Sequence, residues 1–71
     1  MPNTPSSEEI CKILEKHGFR LAGQKGSHRK YRHDGPPGRT VIVPMGRKNM
    51  RIGTFRSIVG QSGLSITDFL P

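Results

Sequence analysis

The residues best suited to chemistry lie around His28. Its neighbours combine two turn-forming residues with three cations: Gly26, Ser27, Lys25, Arg29 and Lys30. Gly and Ser favour a turn, so we expect the imidazole to be exposed among positive charges. A histidine titrates near neutrality and can accept or donate a proton.

One reaction that such a set could catalyse is the cleavage of RNA. The ribose 2′-hydroxyl attacks the adjacent phosphate once a base removes its proton, and His28 is the candidate base. The neighbouring cations disfavour the protonated ring and stabilise charge on the phosphorane. The leaving 5′ oxygen needs a general acid, for which Tyr31, Lys30 and His33 are all candidates. Alternatively, His28 is a turn histidine that only contacts a phosphate or caps a backbone carbonyl.

The other histidines and the single cysteine favour structural roles. His17 is predicted at a helix C-terminus, where an imidazolium suits the helix dipole, and His33 is predicted to be solvated. His28 and His33 are five residues apart on one predicted strand, hence on opposite faces, so we expect no metal site and no cofactor. Cys11 has no partner for an internal disulfide and is expected to be partly buried.

The charge of the chain indicates an acidic partner, and nucleic acid is the first candidate. Twelve Lys and Arg against five Asp and Glu give a net charge of +7. Residues 16–56 carry 11 of these 12 cations and one acid, Asp34. A basic surface of this kind binds phosphates. The candidate phosphate-binding residues are Lys25, Gly26, Ser27, Arg29, Lys30, Arg32, Arg47 and Lys48.

Size and hydropathy exclude several classes of protein. With 71 residues, 31% of them hydrophobic, the chain has room for one small domain and no deep substrate pocket. The aliphatic run 41–43 is too short to span a bilayer, and the N-terminus lacks a signal-peptide pattern. We therefore expect a cytoplasmic protein without a membrane partner. Residues 1–5 should be a flexible lead-in, and residues 6–71 a single domain.

Local patterns predict a helix followed by three strands. The helix covers about 7–17, starting at a capping box of Ser6 and Glu9 and ending at Gly18. Its apolar stripe comprises Ile10, Ile13, Leu14 and His17. Strands are predicted at 19–25, with Phe19 and Leu21 facing the helix, at 28–33, with Tyr31 opposite His28, and at 40–43, ending at Pro44.

A second helix completes the predicted α+β fold. A basic loop with Arg47, Lys48 and Arg51 precedes it. This loop at a helix entrance could hold phosphates, and the alternative is a loop that is only solvated. Thr54 is predicted to cap the helix and Gly63 to end it, and Ser65 is expected to cap one further turn. The order gives a three-stranded antiparallel meander with both helices on one face and the other face open.

Beyond single motifs, much of the chain resembles the HicA toxin family. The similarity extends from residue 6 to about residue 70. It is carried by the runs LEKHGF at 14–19 and QKGSHRKY at 24–31, by Val41, Val43 and Pro44, by IGTFRSI at 52–58, and by Gly63 and Leu64.

This resemblance implies a double-stranded-RNA-binding-like fold, α-β-β-β-α, and the activity of a messenger-RNA interferase. It also implies a HicB-type antitoxin as partner. His28 matches the catalytic histidine of the family, and Lys25, Gly26 and Ser27 match its surroundings. Two other classes of function remain open at this point: a non-catalytic RNA-binding module, and a protein that acts only within a repressor complex.

Overall fold

The fold is a three-stranded antiparallel sheet with helices before and after it. The computed structural model describes residues 4–70. Its elements are α1 (Ser7–Lys16), β1 (Arg20–Lys25), β2 (His28–His33), β3 (Arg39–Pro44), α2 (Ile52–Ser62) and a short 3-10 helix (Ile66–Phe69). The strands lie in the order β1-β2-β3. The predicted α+β class and element order are confirmed.

Helix α1 begins at the predicted capping box. The Ser6 Oγ accepts a hydrogen bond from the Glu9 N–H at 3.1 Å, and a Glu9 carboxylate oxygen accepts one from the Ser6 N–H at 2.8 Å. Both orphan amides of the first turn are thereby satisfied. After the helix, Gly18 adopts φ +89°, a conformation that favours glycine.

The buried face of α1 differs from the predicted stripe. Its buried residues are Ser7, Ile10, Cys11 and Leu14. Ile13 and His17 are only half-buried, whereas Cys11 is 3% exposed, so its predicted partial burial is wrong. The helix is rotated toward β3 and the loop that follows it, and the Cys11 Sγ lies 3.8 Å from the Met45 Sδ.

Strand β1 lies at the edge of the sheet and is only partly covered. Phe19, just before it, is buried as predicted, but Leu21 is 49% exposed. The pairing register with β2 shifts between Leu21 and Gly23, and the helices pack chiefly against β3. Leu21 pairs with the buried Tyr31 and so faces the helical side as predicted, but at the sheet edge about half of its surface stays exposed.

Helix α2 starts before the predicted cap. Arg51 occupies the N-cap position and makes no side-chain capping bond, so Thr54 lies within the first turn. Burial of Phe55 and Ile58 sets where this helix begins, and packing outweighs the weak cap signal. Its end is as predicted, because Gly63 adopts φ +71°. The predicted cap at Ser65 is also confirmed, with its side chain accepting from the Thr67 N–H.

The hydrophobic core lies between one face of the sheet and the helices. The buried strand residues Tyr31, Val41 and Val43 all project to this face. Against them pack the buried side chains of the helical elements: Ile10, Leu14, Phe55, Ile58 and Phe69. Because strand side chains alternate between faces, the opposite face is left open, as predicted.

The N-terminal segment is tied to the loop before α2. The Thr4 Oγ1 donates a hydrogen bond to the Met50 carbonyl, and the Met50 N–H donates to the Pro5 carbonyl at 3.0 Å. Pro5 is buried. Thr4 and Pro5, expected in a flexible lead-in, therefore belong to the folded domain, and residues 1–3 lie outside the described range. No helix within residues 4–70 has the length and apolar character needed to cross a membrane.

Candidate active site

His28 is the first residue of β2 and directly follows the hairpin turn of Gly26 and Ser27. Gly26 adopts φ +56°, which a two-residue turn of this kind requires. Across the ladder, His28 faces Lys25 on β1 and Pro44 on β3. The imidazole is exposed, and within residues 4–70 no side-chain hydrogen bond engages it. The ring is therefore free to meet a ligand.

The strand alternation places His28 with two cations of β2 on the open face. Lys30 and Arg32 lie two and four residues further along, and the separation from His28 to Lys30 is about 7 Å. We use the term open face for the side of the sheet opposite the helices. From the strand pairing, its members are Arg20, Lys25, His28, Lys30, Arg32, Thr40, Ile42 and Pro44.

The two ends of the open face differ in charge. At one end, the Asp34 carboxylate lies 2.8 Å from the Arg20 Nη1 and 3.9 Å from the Arg32 Nε. At the His28 end, neither Lys25 nor Lys30 has an acidic partner within 4.0 Å among the described residues. Uncompensated positive charge on the open face is thus concentrated beside the imidazole.

The basic loop, residues 45–51, lies at the same end of the molecule. The Met45 N–H donates to the Ser27 carbonyl at 2.6 Å, which joins the loop to the His28 turn. Arg47 and Lys48 are exposed. Since Pro44 is paired with His28, Arg47 is only three residues, or about 10 Å of chain, from the ladder position facing the imidazole.

Arg29 is separated from the other predicted phosphate ligands. It projects to the helix-covered face, and its Nε is buried without a hydrogen-bond partner. Hydrogen bonding to Tyr31 raises the pKa of the Arg29 guanidinium, with burial opposing and Cys11 adding to the effect. The strand alternation therefore does not bring Arg29 together with His28, and the predicted stabilisation of a phosphorane by this residue does not fit the geometry.

Tyr31 also points away from the open face. Its hydroxyl donates to a Glu15 carboxylate oxygen at 3.3 Å, and the side chain is fully buried. Burial, reinforced by Cys11, raises the pKa of Tyr31 to about 12. Tyr31, one of the three candidate general acids, is thus a core residue at the interface between the sheet and α1.

His33, the second candidate acid, is half-buried, so its predicted solvation is wrong. Its Nδ1 accepts a hydrogen bond from the Gly35 N–H at 3.0 Å, and its ring lies 5.1 Å from that of Phe19. Five residues of strand place it about 17 Å from His28 and on the other face. Lys30 is the one candidate acid that shares the open face with His28.

His17 has the structural position expected at the end of α1. Its Nδ1 lies 2.9 Å from the Ile13 carbonyl, and its Nε2 lies 3.9 Å from the Asp68 carboxylate. The ring connects α1 to the 3-10 helix. Across residues 4–70, no three His, Cys, Asp or Glu side chains come together as metal ligands.

One residue near the site escaped the sequence analysis. Ser7 is buried where α1 meets the basic loop. A signal for its burial was present, because Ser7 lies three and seven residues before Ile10 and Leu14, on the same helix face. Its hydroxyl bonds to Pro44 and Arg47, which lie 37 and 40 positions along the chain, and no local sequence pattern predicts these bonds.

The chain is similar to a known protein family. A family model described as the HicA toxin of bacterial toxin–antitoxin systems matches residues 7–64. The matched segment runs from the start of α1 to just beyond α2 and includes the His28 turn and the whole open face. No curated protein matches the chain. The match spans most of the 71 residues, and the chain therefore belongs to the HicA toxin family of bacterial toxin–antitoxin systems.

Proposed function

We propose that this toxin is an endoribonuclease that cleaves messenger RNA with His28 as the general base. The observation that carries the proposal is the exposed imidazole on the open face, beside Lys25 and Lys30 and without an acidic partner among residues 4–70. Loss of messenger RNA would stop translation and arrest growth, as expected of a toxin.

The proposed reaction uses the nucleophile that RNA already contains. A neutral nitrogen of His28 accepts the proton of a ribose 2′-hydroxyl, and that oxygen bonds to the adjacent phosphorus. The bond from phosphorus to the 5′ oxygen of the next nucleotide then breaks, and that oxygen takes up a proton. The products are a 2′,3′-cyclic phosphate and a 5′-hydroxyl end.

Cations on the open face supply the electrostatic part of the mechanism. Lys25 and Lys30 flank the imidazole and stabilise negative charge that builds on the phosphate oxygens. Arg32, and the loop residues Arg47 and Lys48, bind phosphates on either side of the cleaved bond. The Gly26 and Ser27 turn leaves the RNA backbone free to approach. Arg29, which projects to the other face, has no part in this proposal.

Lys30 is the proposed general acid. Tyr31 and His33 lie on the helix-covered face, and both are engaged within the fold by Glu15 and Gly35 respectively. Lys30 lies about 7 Å along the same strand face from His28, which fits groups on opposite sides of one phosphate. An ammonium group can donate the proton that the leaving oxygen needs.

The proposed partner is an antitoxin of the HicB type. A protein that places acidic side chains over Lys25, His28 and Lys30 would exclude RNA from the open face and replace the phosphates as counter-charge. Inhibition of this kind requires contact with the open face and no rearrangement of the toxin.

The direct test compares the wild type with His28→Ala in RNA cleavage and RNA binding assays run in parallel. The side chain is exposed and forms no hydrogen bond in the described structure, so the variant should fold with an unchanged melting temperature. We expect the cleavage rate to fall about 10²- to 10⁴-fold, the usual contribution of a general base. RNA affinity should change by less than about threefold, since the cations remain.

Three results would contradict the proposal. Unchanged cleavage by His28→Ala would remove the catalytic assignment. Binding of RNA by the wild type without any cleavage would favour a non-catalytic RNA-binding module. Binding to the antitoxin alone, with RNA unbound and intact, would favour a role confined to a repressor complex.

A further inference from the structure

We infer that Ser7 is a positioning residue that holds the basic loop, residues 45–51, in the conformation that binds RNA. The inference rests on the proposed function, because it concerns how Arg47 and Lys48 reach phosphates near His28. These two side chains are exposed on a segment without regular secondary structure. Their position therefore depends on what anchors the loop backbone.

Ser7 forms three hydrogen bonds at the start of this loop. Its hydroxyl donates to the Pro44 carbonyl at 2.7 Å and accepts from the Arg47 N–H at 3.1 Å. Its own N–H donates to the Arg47 carbonyl at 2.9 Å. The residue is 1% exposed. Both backbone groups of Arg47 are thus held by one buried residue of α1, which the helix packs against the core.

The residues next to these hydrogen bonds connect the loop to β2, the strand that begins with His28. Pro44 pairs with His28 across the ladder, and the Met45 N–H donates to the Ser27 carbonyl. Gly46, with φ +83°, lies in a bend between Met45 and Arg47. Ser7 therefore holds Arg47 at a constant position relative to the imidazole, while the side chain of Arg47 stays exposed.

Holding the loop in advance strengthens binding, because ordering a residue on binding consumes free energy of association. Fixing one backbone residue corresponds to a factor of about 4- to 30-fold in an equilibrium constant. Loss of the Ser7 hydroxyl should free one or two loop residues. We therefore expect Ser7→Ala to bind RNA about tenfold more weakly, with KM raised and kcat changed by less than about twofold.

Ser62 provides a matched control. Its hydroxyl also donates to a backbone carbonyl, that of Val59 at 2.7 Å, and accepts a backbone N–H, that of Leu64 at 3.0 Å. It is 2% exposed. It lies at the far end of α2, eleven residues or about 16 Å along the helix axis from Arg51, the last residue of the loop. Ser62→Ala should lower the melting temperature about as much as Ser7→Ala and leave RNA affinity unchanged.

The experiment measures affinity for a single-stranded RNA oligonucleotide in a His28→Ala background, which prevents cleavage. Ser7→Ala and Ser62→Ala are each added to this background, and Ser7→Ala is also added to Arg47→Ala with Lys48→Ala. If Ser7 acts through the loop, its effect should shrink from about tenfold to less than twofold once Arg47 and Lys48 are absent. An undiminished effect in that protein would overturn the inference.

Amide hydrogen exchange gives a readout that needs no RNA and no variant that might unfold. In the wild type, the Arg47 amide should exchange slowly, as the bonded Met45 and Met50 amides should. If the Arg47 amide exchanged at the rate of an unstructured peptide, the role of Ser7 would be overturned and the proposed function would not be affected. Failure of the His28→Ala protein to bind RNA at all, with Arg47 protected, would instead overturn the proposed function.

Discussion

At the scale of single residues, strand alternation decides which charges can assist His28. Lys25, Arg29 and Lys30 are all close to it in sequence, yet the pairing puts only the two lysines on its face. Sequence proximity alone had grouped all three. The same alternation turns Tyr31 and His33 away from His28 and leaves Lys30 on its face, so the proposed general acid can be tested with one substitution.

Replacing Lys30 by Ala should reduce RNA cleavage about 10²-fold or more, because the leaving 5′ oxygen would depart without a proton. An RNA with sulfur in place of that oxygen should restore the rate of the variant, since a thiolate leaves without protonation. Lys12→Ala removes the same charge from an exposed position on α1 and should cleave normally. Equal slowing of Lys30→Ala on both substrates would show that Lys30 is not the acid.

At the scale of elements, short-range signals predicted the helix termini that a local cap forms, and they failed for the start of α2 and for the buried faces. The Ser6 capping box and the left-handed glycines after both helices depend on neighbours three or four residues away. The start of α2 and the exposure of Leu21 depend on packing between distant segments. Local pattern therefore located five elements but misplaced the Thr54 cap and the covering of β1.

Gly60 within α2 and Gly63 directly after it should respond to alanine with opposite signs. Gly63 adopts φ +71°, and a Cβ there would collide with the Arg39 guanidinium. Gly63→Ala should destabilise the protein by about 1–2 kcal/mol, the cost of a left-handed conformation. Gly60 lies within the helix with open space around it, and Gly60→Ala should stabilise by about 0.5–1 kcal/mol. Denaturant unfolding measures both, and a stabilised Gly63→Ala would contradict the account.

The capping box should make α1 sensitive to acid. Hydrogen bonds from the Ser6 backbone and side chain lower the pKa of Glu9 in the folded state. A carboxylate with a lowered folded pKa adds stability above its unfolded pKa and loses it as pH falls through the folded one. Between about pH 5 and pH 3, the melting temperature of Glu9→Gln should therefore fall less than that of the wild type. Glu8→Gln, without a capping role, should lose stability in acid as the wild type does; a loss as small as that of Glu9→Gln would contradict the assignment.

At the scale of the whole molecule, net charge predicted the class of partner but not the geometry of the site. The +7 charge indicates nucleic acid, whereas the contrast between the Asp34 end and the His28 end requires the folded sheet. The bonds of Ser7 likewise join segments 37 and 40 residues apart. Contacts of such long range are set by the tertiary fold, and no periodicity in the sequence encodes them.

The location of charge should appear in the salt dependence of RNA binding. Each phosphate contact contributes about −0.7 to the slope of log affinity against log salt for single strands. Lys25→Ala with Lys30→Ala should make the slope shallower by about 1.4. Lys12→Ala with Lys16→Ala removes the same charge from α1 and should change the slope much less. Equal slopes for both double variants, measured by titration at several salt concentrations, would show that the open face is not the RNA surface.

The chemistry of the cleaved ends tests the central claim most directly. Mass spectrometry of the fragments from one defined RNA should show a 2′,3′-cyclic phosphate on the upstream product and a 5′-hydroxyl on the downstream one. His28→Ala should form both ends about 10²- to 10⁴-fold more slowly. A 3′-hydroxyl paired with a 5′-phosphate would mean that the ribose 2′-oxygen is not the nucleophile, and it would contradict the role assigned to His28.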